Sequence, residues 1–316
     1  MEPAASVSVV LRRAAYWLFT RVFSALFGTR VARAVWLVPG SRRVYRVIMT
    51  RLAPDLVLVD GHRMRLDPLD SLLLSVNASY EQFERSVFDA CIRTGDVVVD
   101  VGAHIGLYTL TAARATGPTG RVIAFEPSSA NIALLRENVA MNGYTNVEPV
   151  ASAVSDRVGR ASLALSPQNT GDNSLVAQVG HGGTAETVDT VTLDVALAER
   201  GLVVDVLKMD VQGGEPLVLD GAGATVGSRT DLIVFTEISP AHLGGVPGAV
   251  SYAGRLVDLG FELLEVDERT STLRPLDVVE VASASARAGH DGHVNVVCVR
   301  GGSRARLAGF VSVPAP

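Results

Sequence analysis

The chain has 316 residues, 48% hydrophobic and 19% charged, enough apolar side chain for a large core and too much for general disorder. With 28 basic against 33 acidic residues the net charge is −5, which argues against a dedicated nucleic-acid binder. Two cysteines, Cys91 and Cys298, cannot form a disulfide framework and show no zinc-type spacing with His, so a reducing, cytoplasmic setting is expected. Of the 28 basic residues 27 are Arg, and the only Lys is Lys208. Codon bias accounts for the 27 but not for the exception.

The first 54 residues hold nine Arg and one acid, Glu2, a formal +8 that leaves −13 for the rest. The start lacks a basic stretch ahead of its first apolar residues, so no secretory signal is expected. Arg21, Arg30 and Arg33 interrupt the apolar stretch from Ala14 to Val38, so no membrane span is expected. On a helix, Val7, Leu11, Ala14, Ala15, Leu18, Val22 and Ala25 share one stripe opposite Arg12, Arg13 and Arg21. Such a helix is expected to pack on the main domain or cover its active site, the alternative being peripheral contact with an anionic membrane through residues 7–51.

Leu56 to Leu66 reads as two extended runs around Asp60-Gly61, a type I′ hairpin signal. Residues 1–78 are thus expected to form an N-terminal helical and hairpin segment, 79–300 the main domain and 301–316 a tail. Tyr80 to Thr94 reads as a helix with Phe83, Val87, Phe88 and Cys91 on one face. Val97 to Val101 is a continuous β-branched run, as in a parallel strand buried on both faces. Further expected elements are helix 105–115, strand 121–125, helix 129–141, strand 147–151, an irregular polar region, strand 202–210, helix 215–220, strand 231–237, helix 249–259, strand 261–266 and strand 294–300. This alternation implies right-handed βαβ units around a mostly parallel sheet.

Ligands of such sheets lie beyond the carboxyl ends of the strands. The first parallel strand ends Asp100-Val-Gly-Ala-His-Ile-Gly106, whose small residues let a ligand approach the backbone; its spacing is not that of the dinucleotide fingerprint. The second ends in Glu126, placed to accept both hydroxyls of a ribose. Lys208 and Asp210 point to one side of a later strand and meet at its tip. Glu237 adds an acid on the same rim, and carboxylates crowded around one Lys suit tuned proton transfer. A compact ammonium, or one whose pKa is lowered, would explain why that position stayed Lys. His62, His181, His290 and His293 are expected at the surface, His104 and His242 near the rim.

In this order and spacing, Asp100-Val-Gly-Ala-His-Ile-Gly-Leu-Tyr-Thr109, Ala124-Phe-Glu-Pro127, Thr192-Leu-Asp194 and Leu207-Lys-Met-Asp-Val-Gln-Gly-Gly-Glu215 resemble the FkbM-type family of S-adenosylmethionine-dependent methyltransferases. The resemblance implies an α/β, class I, Rossmann-like methyltransferase fold with a seven-stranded sheet whose last strand is antiparallel. It implies O-methylation of a hydroxyl on a small secondary metabolite or sugar. It assigns Asp100, Gly102, Ala103, His104, Gly106 and Glu126 to S-adenosylmethionine, with Ser155 and Asp156 alongside the adenine. His104 and Gln212 depart from the family pattern, where Asn and an acid are more usual. Asp210, which orients or deprotonates the acceptor, is then the expected catalytic residue, assisted by Lys208 and Glu237. Asn173, Ser174 and His242 are expected at the acceptor. Magnesium held by Asp210, Glu237 and Asp194 is a less favoured alternative. Two other readings compete: a nicotinamide-dependent oxidoreductase, disfavoured by the glycine spacing, and a membrane-surface adaptor that keeps the fold without turnover.

Overall fold

A computed structural model describes residues 56–310 apart from 73, 75–79, 168, 177–183, 228 and 288–291. The basic N-terminal stripe, and with it the proposed membrane contact or cover, lies outside the described residues, as do His181 and His290. Among the described residues no helix is long and apolar enough to cross a membrane.

The chain divides into two units, residues 1–80 with 168–171, and residues 81–167 with 172–316. The smaller unit contains the expected hairpin. Strands β1 (Val57–Val59) and β2 (His62–Met64) pair antiparallel, and Asp60 and Gly61 both adopt positive φ (49° and 84°), as a type I′ turn demands. His62, expected at the surface, is instead buried. Alternation puts it on the same inward side as Val59 and Met64.

In the larger unit, α1 (Gln82–Cys91) buries Phe83, Val87, Phe88 and Cys91 as its spacing predicts. The sheet then builds in βα alternation: β3 (Val97–Val101), α2 (Leu107–Thr116), β4 (Arg121–Phe125), α3 (Ser129–Met141) and β5 (Val147–Val150). A second, three-stranded sheet follows: β6 (Ala153–Val154), β7 (Gly159–Ala164) and β8 (Ala185–Val191), in the order β6-β8-β7. The main sheet resumes with α4 (Leu193–Ala198), β9 (Val206–Met209), α5 (Glu215–Asp220), α6 (Gly223–Gly227), β10 (Ile233–Ile238), α7 (Val246–Asp258), β11 (Glu262–Asp267), β12 (Thr272–Pro275), α8 (Val281–Arg287) and β13 (Val294–Val299).

The strand order is β12-β11-β13-β10-β9-β3-β4-β5. β5, β4, β3, β9 and β10 run parallel, and β13 inserts antiparallel between β10 and β11. The expected antiparallel last strand is therefore present. β12 adds an eighth strand to the expected seven, a hairpin on the free edge of β11. β3 and β9 are flanked by strands on both sides and covered on both faces, which is why their Val and Leu residues run without alternation.

Two expectations need correcting. The polar region after β5 is a small sheet with its own core of Ala153, Leu163 and Val188. Its outer face is solvated, so few apolar positions mark it in the sequence. Nor do residues 301–310 form a tail. They wind into a 3-10 helix (Gly301–Leu307) that buries Leu307, and Arg306 hydrogen-bonds Asp96 and the Cys91 carbonyl. Phe310 then meets Phe83 with ring centroids 6.0 Å apart.

Candidate active site at the strand tips

Beyond β3 the backbone turns through three left-handed residues, Gly102 (φ 84°), His104 (φ 52°) and Gly106 (φ 99°), before α2 begins. Gly102 has no room for a side chain, since a Cβ there would lie 1.9 Å from the Asp210 carbonyl oxygen. A Cβ on Gly106 would meet Leu135 Cδ1 at 2.6 Å. The turn is tied to the next strand because the Gly102 and Ala103 N–H groups both donate to the Phe125 carbonyl (3.0 Å each). Asp100, 1% exposed, accepts from Thr109 Oγ1 at 2.6 Å, and its Oδ1 is buried without a hydrogen-bond partner. Burial raises its pKa against the opposing pull of Lys208 and Thr109.

Glu126 stands at the tip of the neighbouring strand. Its carboxylate accepts from the His104 N–H (2.9 Å), the Ser128 N–H (2.9 Å) and, more weakly, Asn131 Nδ2 (3.5 Å). Burial still pushes its pKa up to about 7. An orphaned Asp100 oxygen and a buried carboxylate beside a bare glycine turn fit a ligand carrying ammonium and ribose hydroxyl groups, as S-adenosylmethionine does. On the side of β5 the Val150 carbonyl accepts from the N–H groups of both Glu126 (3.1 Å) and Ser152 (3.0 Å). Ser155 and Asp156 follow β6. The Ser155 hydroxyl donates to Asp156 (3.1 Å), and the Ser155 carbonyl lies where a Cβ on Gly221 would stand.

The other half of the rim gathers around Lys208. In-register pairing sets Asp100 beside Lys208 and Lys208 beside Phe235. Lys208 is 5% exposed; its Nζ lies 3.1 Å from Asp210 Oδ2 and 4.2 Å above the Tyr108 ring. Burial alone would lower its pKa, but Asp210, Asp100, Glu84 and Glu81 together outweigh burial and hold it above the ordinary value. The alternative of a lysine tuned downward is thereby overturned: Lys208 is a fixed cation. Asp210 also accepts from Gln212 Nε2 (2.8 Å). Burial favours its protonated form, yet Lys208 and Gln212 prevail and its pKa is lowered.

A narrow crevice at this tip is lined by Glu81, Glu84, Lys208, Asp210, Glu237 and Asn295, among others. Glu81, Glu84 and Asn295 fall in no motif, and Tyr108 stood in the Asp100–Thr109 motif without an assigned role. Tyr108 donates to Glu81 (2.8 Å), and Asn295 Nδ2 donates to Glu84 Oε2. Beyond Asn295 a cavity of about 330 Å³ opens along β11, β12 and the start of β13, lined by residues including Glu265, Asp267, Arg274, Arg287 and His293.

His242 Nδ1 sits 3.6 Å from Glu237 Oε1, and that carboxylate raises the imidazole pKa, against burial. The chain at His242 is pressed onto Gly213, where a Cβ would lie 2.5 Å from the His242 carbonyl oxygen. Glu215 closes this same turn by accepting from the Val211 and Gly213 N–H groups (3.0 Å each). Asn173 accepts from the Ser166 N–H (2.9 Å), and the Ser174 hydroxyl donates to the Gln212 carbonyl (2.8 Å), pinning its loop over the turn that follows Asp210.

The Thr192-Leu-Asp194 motif proves to be a pair of helix caps. Thr192 Oγ1 accepts from Val195 at the start of α4, and Asp194 accepts from Ala224 N, Thr225 N and Thr225 Oγ1 at the start of α6. Asp194 therefore does not join Asp210 and Glu237 in a magnesium site. Among the described residues no group of three or more His, Cys, Asp or Glu is arranged to hold a metal ion.

A sheet of this order with one antiparallel insertion, a glycine turn after its first strand and an acid after its second defines a class I methyltransferase of the S-adenosylmethionine-dependent kind. Residues 100–265 match the family model of the methyltransferase FkbM domain. The chain belongs to the FkbM methyltransferase family. It is 32% identical over 192 residues to the 31-O-demethyl-FK506 methyltransferase FkbM of Streptomyces tacrolimicus, covering 49% of this chain and 73% of that one. To the methyltransferase sdnD of Sordaria araneosa it is 30% identical over 155 residues, 39% of this chain and 59% of the other. Among solved structures, a SAM-dependent methyltransferase from Aquifex aeolicus superposes with a TM-score of 0.42 at 14% identity, covering 75% of this chain and 100% of that one. A SAM-dependent O-methyltransferase from Thermotoga maritima gives 0.41 at 13% identity, covering 85% and 82%.

Proposed function

We propose that this protein is an O-methyltransferase that transfers the methyl of S-adenosylmethionine to a hydroxyl of a small secondary metabolite or sugar. The observation that carries the reading is the juxtaposition, on adjacent strands, of the glycine turn after Asp100 and the Lys208–Asp210 crevice. The O-methylation in the Streptomyces relative's name supports oxygen as the acceptor atom. The cavity beyond Asn295 has the size of a small-molecule pocket and mixes acid, Arg and amide groups suited to a polyhydroxylated compound.

When bound, the cofactor supplies a methyl already activated on a sulfonium sulfur, so the protein must mainly align and desolvate. The turn 100–106 takes the amino-acid end, Glu126 the ribose hydroxyls, and the side around Ser155 and Asp156 the adenine. Asp210, kept ionised by Lys208 and Gln212, accepts a hydrogen bond from the acceptor hydroxyl and aims its lone pair. Of the two roles read from sequence, orienting and deprotonating, the lowered pKa favours the first. Glu237 lines the crevice with His242 against its carboxylate, and Ser174 with Asn173 holds the loop over the Gln212 turn.

The test is incubation of the full chain with S-adenosylmethionine and a panel of hydroxylated polyketides, sugars and phenols, followed by mass spectrometry and location of the new methyl. A methyl ether is expected. Methyl on nitrogen or carbon, or failure to bind S-adenosylhomocysteine, would sink the reading.

A further inference from the structure

Methyl transfer to a hydroxyl leaves a proton to be removed, and the groups so far assigned are poor at removing it. Lys208 is a fixed cation and Asp210 a weakened base. We propose that Glu84, on α1 ahead of the first parallel strand, receives the acceptor's hydroxyl proton, with Asn295 positioning its carboxylate. This rests on the reading of the site as an O-methylation centre.

Glu84 is buried and lines the crevice beside Lys208 and Asp210. Asn295 Nδ2 donates to Oε2 from the start of β13, while Glu237, paired with Asn295 across the sheet, faces the same crevice. Tyr108 on α2 donates to Glu81, the acid one residue ahead of α1. The Glu84 N–H donates to Glu268 at 2.7 Å, and the Phe83 N–H to the other oxygen of that carboxylate at 3.0 Å, fixing the first turn of α1. On β3, Asp100 stands in register with Lys208 and adds a second buried carboxyl beside it.

The charged groups facing Glu84 decide its chemistry. Burial first, then Glu81 and Asp210, raise its pKa well above the ordinary carboxylate value; Lys208 and the nearby Tyr108 hydroxyl oppose them. It is thus a far more proton-avid carboxyl than Asp210 across the crevice, whose pKa is lowered. In the transfer the O–H bond of the acceptor is replaced by O–CH₃. The electron pair of the broken S–CH₃ bond stays with sulfur, and the proton passes to Glu84 and later to solvent. Ionised Glu84 is required at the start, so turnover rises with pH through its titration.

The experiment compares the full chain with Glu84→Gln and Glu84→Asp. The Gln amide oxygen can still accept from Asn295, so melting temperature and S-adenosylhomocysteine affinity are expected to persist as evidence of folding. Infrared difference spectra of the cofactor-free protein should show a protonated-carboxyl band, titrating with pH, that Glu84→Gln removes. With the acceptor found in the panel above, Glu84→Gln should lower kcat by about 10²- to 10⁴-fold with KM little changed and should abolish the rising limb of the pH profile. Glu84→Asp should retain part of both. A Glu84→Gln enzyme with near-normal kcat and the same rising limb, or an unchanged infrared titration, overturns this role alone. If the wild-type chain methylates no hydroxyl, the functional reading falls and this role with it.

Discussion

Glu126 should make cofactor affinity depend on pH and on one carboxylate. In the folded protein its pKa is raised from 4.5 to about 7, burial overcoming the hydrogen bonds from Ser128, His104 and Asn131. Two ribose hydroxyls donate to a carboxylate best when it is ionised, so binding should be accompanied by loss of a proton near neutral pH. With a pKa of about 7, lowering the pH from 8 to 6 reduces the ionised fraction about tenfold, and affinity should fall about tenfold with it. The assay is calorimetric titration with S-adenosylhomocysteine in buffers of different ionisation enthalpy, which counts the protons released. Glu126→Gln should weaken binding by about 1.5–3 kcal/mol, the worth of hydrogen bonds to a charged group, and flatten the pH dependence.

The same substitution should act oppositely on the unliganded protein. Because the folded-state pKa lies above the unfolded one, Glu126 contributes stability that is complete below pH 4.5 and lost as pH rises through about 7. A shift of this size corresponds to about 3 kcal/mol. Glu126→Gln, which cannot ionise, should therefore melt higher than wild type at pH 8 and close to it at pH 5. An affinity that stays flat from pH 6 to 8 in wild type, together with a variant no more stable at pH 8, would refute both the burial argument and the ribose assignment.

Three further outcomes follow from packing. Gly102→Ala should lower stability by at least about 2 kcal/mol, as strain at positive φ combines with a Cβ 1.9 Å from the Asp210 oxygen; a thermal melt within 2 °C of wild type, on the order of 1 kcal/mol or less, would contradict it. Lys208→Met should cost about 3–5 kcal/mol at pH 7.5 by leaving Asp210 and Asp100 uncompensated, and less at pH 5.5 as those acids protonate; urea midpoints equal at the two pH values would argue against a fixed cation. Arg306→Ala removes one partner of a buried ion pair with Asp96 and should cost about 3–5 kcal/mol, measured by urea unfolding, whereas a dispensable tail would tolerate it.

What the sequence disclosed depended on how many neighbours a residue needs in order to act. β3 and β9 were legible because strands buried on both faces carry unbroken apolar runs, and the turn after Asp100 because Gly102 and Gly106 stand at two of its three left-handed positions. The small sheet β6-β8-β7 was not, since one solvated face leaves little alternation to see. Thr192-Leu-Asp194 was visible as a motif but not as two helix caps, because Asp194 acts on residues about thirty positions away. Glu84 carried no signal at all. It lies 124 positions before Lys208 and 211 before Asn295, in a helix whose apolar face alone was readable.

Lys208 joins the two kinds of information. Its rarity could be counted, but the reason for it is spatial. The ammonium fits between Asp210 and the face of Tyr108, with Asp100 on the adjacent strand and Glu84 in the same crevice. An ammonium is a compact point charge that can sit over a ring while donating to one carboxylate, whereas a guanidinium is a broad planar fork. At 5% exposure there is no solvent margin into which the larger group could swing. Lys208→Arg should accordingly impair kcat more than an Arg-to-Lys change at an exposed site such as Arg157, whose side chain is 79% exposed. Single-turnover rates of the two variants, taken at equal cofactor saturation, test this. Equal rates would mean that the cavity accepts either cation and that the one lysine among 27 arginines reflects chance.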